Sequence, residues 1–78
     1  MKIDYEAPIP AGSKLVGKAI GEVEKKFPIK IDHIHIGSLI TGKKIEAKAN
    51  KILRPGMTIK ILNADKKDLV KFRKYYDL

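Results

Sequence analysis

Residues 53–62 constrain the fold more than any other part of the sequence. Pro55 and Gly56 are typical of a type II turn, because proline presets φ at the first central position and glycine accepts a positive φ at the second. The residues after the turn alternate between apolar and polar, which predicts a half-buried strand. The apolar members of this alternation are Met57, Ile59 and Ile61. We therefore expect this final strand to be the scaffold of the domain.

The length and composition limit the classes of protein to which the chain can belong. Seventy-eight residues make one domain, spanning residues 1–78. A chain this short buries only about 60% of the surface that its unfolded form exposes, so self-association is expected to stabilise it. The absence of cysteine excludes a disulfide framework, a thiolate metal site and a cysteine nucleophile. No apolar run approaches the roughly 20 residues that span a bilayer, and a soluble, cytoplasmic protein is expected.

The net charge of +8 comes from 17 Lys and Arg against 9 Asp and Glu. Such a balance fits nucleic acid, an anionic ligand or a negative surface. Only Arg54 and Arg73 are arginines, whereas specific readers of bases and phosphates favour arginine forks and aromatic platforms. Scattered, solvated lysines are the preferred interpretation, and a small basic nucleic-acid-binding domain is the alternative. Phe27, Phe72 and Tyr76 are expected to lie in the core, which leaves Tyr75 as the aromatic residue available to stack on a base.

The first part of the chain reads as a strand followed by a helix. Alternation of Ile3, Tyr5 and Ala7 with charged residues predicts a strand at residues 2–7, and two prolines after it end the strand. An apolar stripe predicts a helix at residues 18–27, supported by a Glu22–Lys26 pair, in which Gly21 permits a close approach. The members of the stripe are Ala19, Ile20, Val23 and Phe27.

The middle of the chain, residues 29–40, is predicted to be extended. Its isoleucines change parity, since Ile29 and Ile31 share one face whereas Ile34, Ile36 and Ile40 share the other. Either a bulge near Asp32 shifts the register, or both faces are covered. A hairpin turn is predicted at Thr41-Gly42, followed by a strand whose inward residues are Ile45, Ala47 and Ala49.

The last segment is predicted to be a helix capped by Asp65, with Asp68 favouring its first turn. Its apolar stripe consists of Leu69, Phe72 and Tyr76. The complete order is β-α-β-β-β-α, which predicts an α+β fold: a mainly antiparallel four-stranded sheet with two helices.

Three motifs in order carry a family resemblance: Ser13-x-Leu15-x-Gly17-Lys18-Ala19-Ile20, Phe27-Pro28-Ile29 and Leu53-x-Pro55-Gly56. Together they resemble the TrkA-C domain, the C-terminal lobe of the RCK regulators of potassium channels and transporters. The resemblance covers nearly the whole chain. Met57 stands where the family usually has aspartate, and Pro28 stands where it commonly has glycine.

The resemblance implies a cytoplasmic regulatory module that controls potassium or other cation transport. Such domains form homodimers, and some bind a small ligand, cyclic di-AMP in several bacterial members, in the cleft between copies. No obligate cofactor is implied. The expected partners are a second copy and a membrane potassium channel or transporter subunit, or a separate RCK N-terminal domain, and nucleic acid is not expected. Carried onto this sequence, the ligand-binding positions would be Ala19, Ile20, Lys30, Ile31 and Ala47.

Plain dimer packing is the alternative role for these apolar positions. Ligand-binding members often have asparagine at the position of Lys30 and proline at that of Ala47. Lys30 could still meet a phosphate as a point charge.

The sequence offers little for catalysis or metal binding. His33 and His35 project from one strand face about 7 Å apart, given a rise of about 3.3 Å per residue. With Asp32 they could form a weak metal site, but Asp32 would point to the opposite face of a regular strand, so partly exposed histidines are preferred. Ser13 is the first candidate nucleophile, yet no base is placed beside it. We expect no enzymatic activity.

Overall fold

A computed structural model describes residues 1–37 and 42–78, which form one four-stranded sheet and two helices. Every strand pairing is antiparallel, and the strands lie in the order β1-β4-β2-β3. The predicted α+β class and element order are confirmed. In chain order the elements are β1 (Lys2–Pro8), α1 (Ile20–Lys26), β2 (Ile31–Ile36), β3 (Lys43–Glu46), β4 (Met57–Asp65) and α2 (Lys66–Tyr76).

Strand β4 lies inside the sheet, with β1 on one side and β2 on the other. The turn that precedes it has φ of +88° at Gly56, and the Met57 N–H donates to the Arg54 carbonyl at 3.4 Å. This is the arrangement that a type II turn requires. The Ile9 N–H donates to the Met57 carbonyl at 2.8 Å, which joins the end of β1 to the same turn. The predicted role of the final strand as scaffold is confirmed.

Strand β2 contains the bulge that its parity predicted. Ile31 lies opposite Ile61 and His33 lies opposite Lys60, so two steps along β2 match one step along β4. The extra residue is Asp32, and it lets Ile31 and Ile34 reach the same core with exposures of 2% and 0%. The predictions for Ile40 and Thr41 lie outside the described residues.

Both helices contribute to one core against one face of the sheet. The Asp65 carboxylate accepts from the Lys67 N–H at 3.0 Å, so the predicted cap of α2 is confirmed. The helical core residues are Ile20, Val23, Leu69, Phe72 and Tyr76, and the strand residues that they cover are Ile31, Ile34, Ile59 and Ile61. Neither helix of the described chain has the length and apolar character needed to cross a membrane.

Several predicted boundaries differ from those observed. Helix α1 begins at Ile20 and not at residue 18, because the Lys18 carbonyl accepts from the Leu53 N–H at 2.8 Å. Strand β2 spans Ile31–Ile36, so the described residues 29, 30 and 37 of the predicted extended stretch lie outside the strand. Strand β3 ends at Glu46, so the two alanines assigned to that strand follow it.

The predicted Glu22–Lys26 pair is also replaced. The Lys18 Nζ lies 3.3 Å from Glu22 Oε2, while the Lys26 Nζ lies over the ring of Tyr75. Glu22 therefore pairs with the lysine before it in the chain, which lies next to the first turn of α1.

Candidate functional site

The five positions that the resemblance implied as ligand-binding differ in accessibility. Ile20 and Ile31 are 0% and 2% exposed and belong to the core. Ala19 and Ala47 are half-buried, and Lys30 is exposed. On a single chain, only these last three positions are therefore open to a ligand or a second copy.

Ala19 belongs to a small apolar surface where the start of α1 meets the segment after β3. Ala19 forms an antiparallel bridge with Ile52, which is 37% exposed. The Gly21 N–H donates to the Ala49 carbonyl at 2.8 Å, and a Cβ on Gly21 would lie 3.1 Å from the Ala49 Cβ. The close approach predicted at Gly21 is thus confirmed. We call Ala19, Ala47, Ala49 and Ile52 the alanine patch.

The opposite face of the sheet carries a row of polar side chains. Strand register places Glu6, Lys60, His33 and Glu46 side by side across the four strands. The Lys60 Nζ lies 4.0 Å from Glu6 Oε2. This row has the character of a solvated sheet face stabilised by cross-strand pairs.

The bulge brings together two side chains that a regular strand would separate. The His33 Nδ1 lies 2.8 Å from Asp32 Oδ2. This hydrogen bond holds the pKa of Asp32 below its ordinary value, against the opposing effect of desolvation and with help from the charges of Lys44 and Lys30. Within residues 1–37 and 42–78, no three His, Cys, Asp or Glu side chains are grouped as metal ligands would be.

The Ser13 hydroxyl makes two hydrogen bonds, one as donor and one as acceptor. Its Oγ donates to the Tyr76 carbonyl at the end of α2 and accepts from the Leu15 N–H at 3.1 Å. The residue is 5% exposed. The bond to Tyr76 fixes the loop between β1 and α1 to the last turn of α2, the bond from Leu15 closes a turn within that loop, and both partners are backbone groups.

An aromatic cluster joins α2 to the end of α1. The ring centroid of Phe27 lies 5.9 Å from that of Phe72 and 5.6 Å from those of Tyr75 and Tyr76. Burial raises the pKa of the Tyr76 phenol, and the neighbouring Tyr75 and Glu22 raise it further. Tyr75 is 43% exposed, which agrees with its prediction as the free aromatic residue.

Lysines surround Tyr75 and continue along α2. The Nζ atoms of Lys26 and Lys14 lie 4.5 and 5.4 Å from the Tyr75 ring centroid. Two hollows, of about 730 and about 540 Å³, follow the helix and share Lys71 and Lys74. We call this surface the lysine groove, and its cationic residues are Lys14, Lys26, Lys66, Lys67, Lys71 and Lys74.

Sequence reasoning did not find the lysine groove. The lysines were interpreted as scattered and solvated, and Phe27 was assigned wholly to the core, although Phe27 also lines the second hollow. The exposed Tyr75 was the single available signal. Lys14 and Lys26 come from other elements, and no local pattern connects them to α2.

Comparison of the sequence with models of protein families and with curated proteins found no match.

Proposed function

We propose that this chain is a regulatory module that forms a homodimer, responds to a small ligand or partner, and controls cation transport, with potassium the ion implied by the TrkA-C resemblance. One observation supports the proposal: the motif residues that carry the TrkA-C resemblance lie where this fold requires a positive φ or complete burial. Gly17 and Gly56 have φ of +87° and +88°, which favour glycine. Leu15 and Leu53 are 0% exposed. The resemblance therefore rests on residues that the fold needs.

The alanine patch is the surface proposed for the second copy. Small side chains let two backbones approach closely, and Ile52 supplies an apolar side chain that a partner would cover. Ala19 and Ala47 also belong to the positions implied by the resemblance. A domain of this size has little core of its own, so burial of apolar surface between two copies would add stability.

Regulation would follow from a difference in affinity. A ligand or partner that binds one geometry of the dimer more tightly than another shifts the population toward that geometry. The exposed Lys30 is the residue proposed to meet an anionic group of such a ligand. The altered dimer would then act on a membrane transporter subunit.

Light scattering coupled to size-exclusion chromatography tests the dimer. We expect a dimer at tens of micromolar, and Ile52→Glu should raise its dissociation constant at least about tenfold, equivalent to about 1.4 kcal/mol. Leu62→Glu is the matched control, because Leu62 is 39% exposed and belongs to β4, whereas the patch is formed by the start of α1 and the segment after β3. A monomer at every concentration, or equal effects of the two variants, would contradict the proposal.

A thermal-shift screen of nucleotides and divalent cations tests the ligand. A ligand selective for the folded state raises the melting midpoint, and Lys30→Ala should reduce that rise while Lys48→Ala, also exposed, should not.

In cells, removal of the chain should alter the rate of potassium uptake. The Leu62→Glu variant should restore the original rate, and Ile52→Glu should not.

A further inference from the structure

We infer that the lysine groove binds single-stranded nucleic acid. The sequence alone disfavoured nucleic acid because it offered neither arginine forks nor an aromatic platform among its cations. The folded chain supplies such a platform, since it gathers lysines from separate elements around the exposed ring of Tyr75. The groove contains none of the residues of the alanine patch, and the inference does not depend on the proposed dimer.

The lysine groove carries a dense positive charge. Six lysines line the groove or lie over its tyrosine, and Asp65 is the one acidic residue among the described residues that line the two hollows. The Asp65 carboxylate already accepts the Lys67 N–H as the helix cap. Ammonium groups gathered on one surface repel one another, and a bound polyanion relieves that repulsion. The groove is therefore complementary to a chain of phosphates.

Neighbouring aromatic rings support Tyr75 in the groove. The Tyr75 ring packs against Phe27 at 5.6 Å with an angle of 57° between planes, and against Tyr76 at 4.8 Å. Its position is thus fixed from the core side, while 43% of the residue stays exposed. Lysine stems are flexible, so the ammonium groups near the ring can move to a phosphate when a base stacks there. Bases stacked on aromatic rings beside backbone-tracking cations are the usual mode of single-strand binding.

The groove extends along α2. The hollows share two lysines and follow α2, whose 11 residues extend about 16 Å at about 1.5 Å per residue. Such a surface favours several linked nucleotides over a free mononucleotide. A duplex keeps its bases stacked on one another, whereas a single strand can place a base on Tyr75. Lysine ammonium groups act as point charges, so little sequence preference is expected.

Fluorescence anisotropy with a labelled oligothymidylate of about ten nucleotides tests the inference. At about 50 mM salt we expect a dissociation constant of about 1–100 µM. The logarithm of the association constant should fall with the logarithm of salt concentration with a slope of about −2 to −4, as three to six phosphate contacts predict. Mononucleotide, duplex DNA and phosphatidylserine vesicles are the competitors, and each should bind more weakly.

Two pairs of variants locate the site. The double variant Lys71→Gln/Lys74→Gln should weaken binding about tenfold and reduce the salt slope by about 1.4, the value for two lost contacts. Lys43→Gln/Lys44→Gln removes the same charge from exposed positions of β3 and should change affinity less than about twofold. Tyr75→Leu should weaken binding about five- to tenfold, whereas Tyr75→Phe, which retains the ring, should bind as the original chain does.

Thermal melting of each variant separates loss of binding from loss of folding. The inference is overturned by absence of binding at about 50 mM salt, or by equal weakening in the two lysine variants. Tighter binding of duplex DNA or of vesicles would also overturn it and would assign the groove to generic anion attraction or to a membrane surface. None of these results bears on the dimer, which is measured with other variants.

Discussion

The glycines at positions 12 and 56 have equal space around them and different backbone angles. Outside the residue itself and its two neighbours in the chain, a Cβ at either position would meet no atom within 4 Å, but φ is +88° at Gly56 and Gly12 is outside the positive-φ region. A substitution at these two sites therefore separates backbone strain from steric crowding.

We predict that Gly56→Ala lowers the free energy of unfolding by about 1–2 kcal/mol, because an alanine with positive φ brings its Cβ close to the carbonyl oxygen. Gly12→Ala should be neutral or stabilise slightly, because alanine restricts the unfolded chain. Urea unfolding of both variants measures the difference. Equal changes in the two variants would contradict a type II turn at residues 54–57.

At the scale of elements, α2 depends on a cap with a pH-sensitive carboxylate. The hydrogen bond from the Lys67 N–H holds the pKa of Asp65 below its ordinary 3.8, with desolvation opposing and nearby positive charges assisting. The folded chain then binds this proton less readily than the unfolded chain. The cap consequently stabilises the fold above about pH 3.8, and this contribution is lost as pH falls through the lowered pKa.

We predict that Asp65→Asn reduces the loss of stability on acidification. Asparagine is also a good N-cap, so helix α2 should persist, while the proton-linked contribution of this position disappears. Urea unfolding at about pH 6 and about pH 2.5 measures the loss in both proteins. An unchanged difference between the two pH values would show that the Asp65 carboxylate has no such linkage.

The bulge in β2 predicts that deletion of one strand residue can be tolerated at that site and not in a regularly paired part of the sheet. Removal of Asp32 leaves Ile31, His33 and Ile34 in regular alternation, with the isoleucines still inward and each partner on β4 unchanged. Lys60, in contrast, pairs with Glu6 in a regular part of the β1–β4 ladder. Deletion of Lys60 would therefore make Ile59 and Ile61 adjacent and place their side chains on opposite faces of the sheet.

We therefore expect the Asp32 deletion to fold cooperatively, at a cost within the usual range of point mutations, about 0.5–3 kcal/mol. The Lys60 deletion should show no cooperative thermal transition. Circular dichroism melting compares the two. A cooperative transition in the Lys60 deletion, or none in the Asp32 deletion, would contradict the observed register.

The elements that sequence predicted correctly are those with local signals. Pro55-Gly56 and the alternation after it predict β4, and the change of isoleucine parity predicts the bulge at Asp32. The start of α1 was misplaced because Lys18 bonds with Leu53, a distant segment that competes with the helix for its backbone groups. The lysine groove also depends on segments that are distant in the sequence. Its lysines come together only when the chain folds, so no local pattern predicts it.

At the scale of the whole molecule, the net charge of +8 affects stability directly. Repulsion among the lysines opposes compaction, and salt screens it, with a Debye length of about 10 Å at 0.1 M. The six lysines of the lysine groove are a concentrated part of this repulsion. They should therefore account for a larger share of the salt response than an equal number of dispersed lysines.

We predict that raising sodium chloride from about 20 to about 300 mM raises the melting midpoint by a few degrees. The rise should be smaller in Lys71→Gln/Lys74→Gln than in Lys43→Gln/Lys44→Gln, which has the same net charge. Differential scanning calorimetry measures the midpoints. A midpoint that falls with salt, or identical responses in the two variants, would contradict repulsion centred on the groove.

The position of β4 between β1 and β2 has a consequence for biosynthesis. Strand β1 leaves the ribosome before its neighbour in the sheet, which spans residues 57–65. Translation adds about 5–20 residues per second, so β1 waits for seconds without a hydrogen-bonding partner. The pairing of β1 must therefore wait for β4, and folding should be slow for so small a domain, because residues 2–8 pair with residues 58–65, far along the chain. During that interval the nascent chain exposes Ile3 and Tyr5, and a chaperone at the exit tunnel would find this strand unpaired.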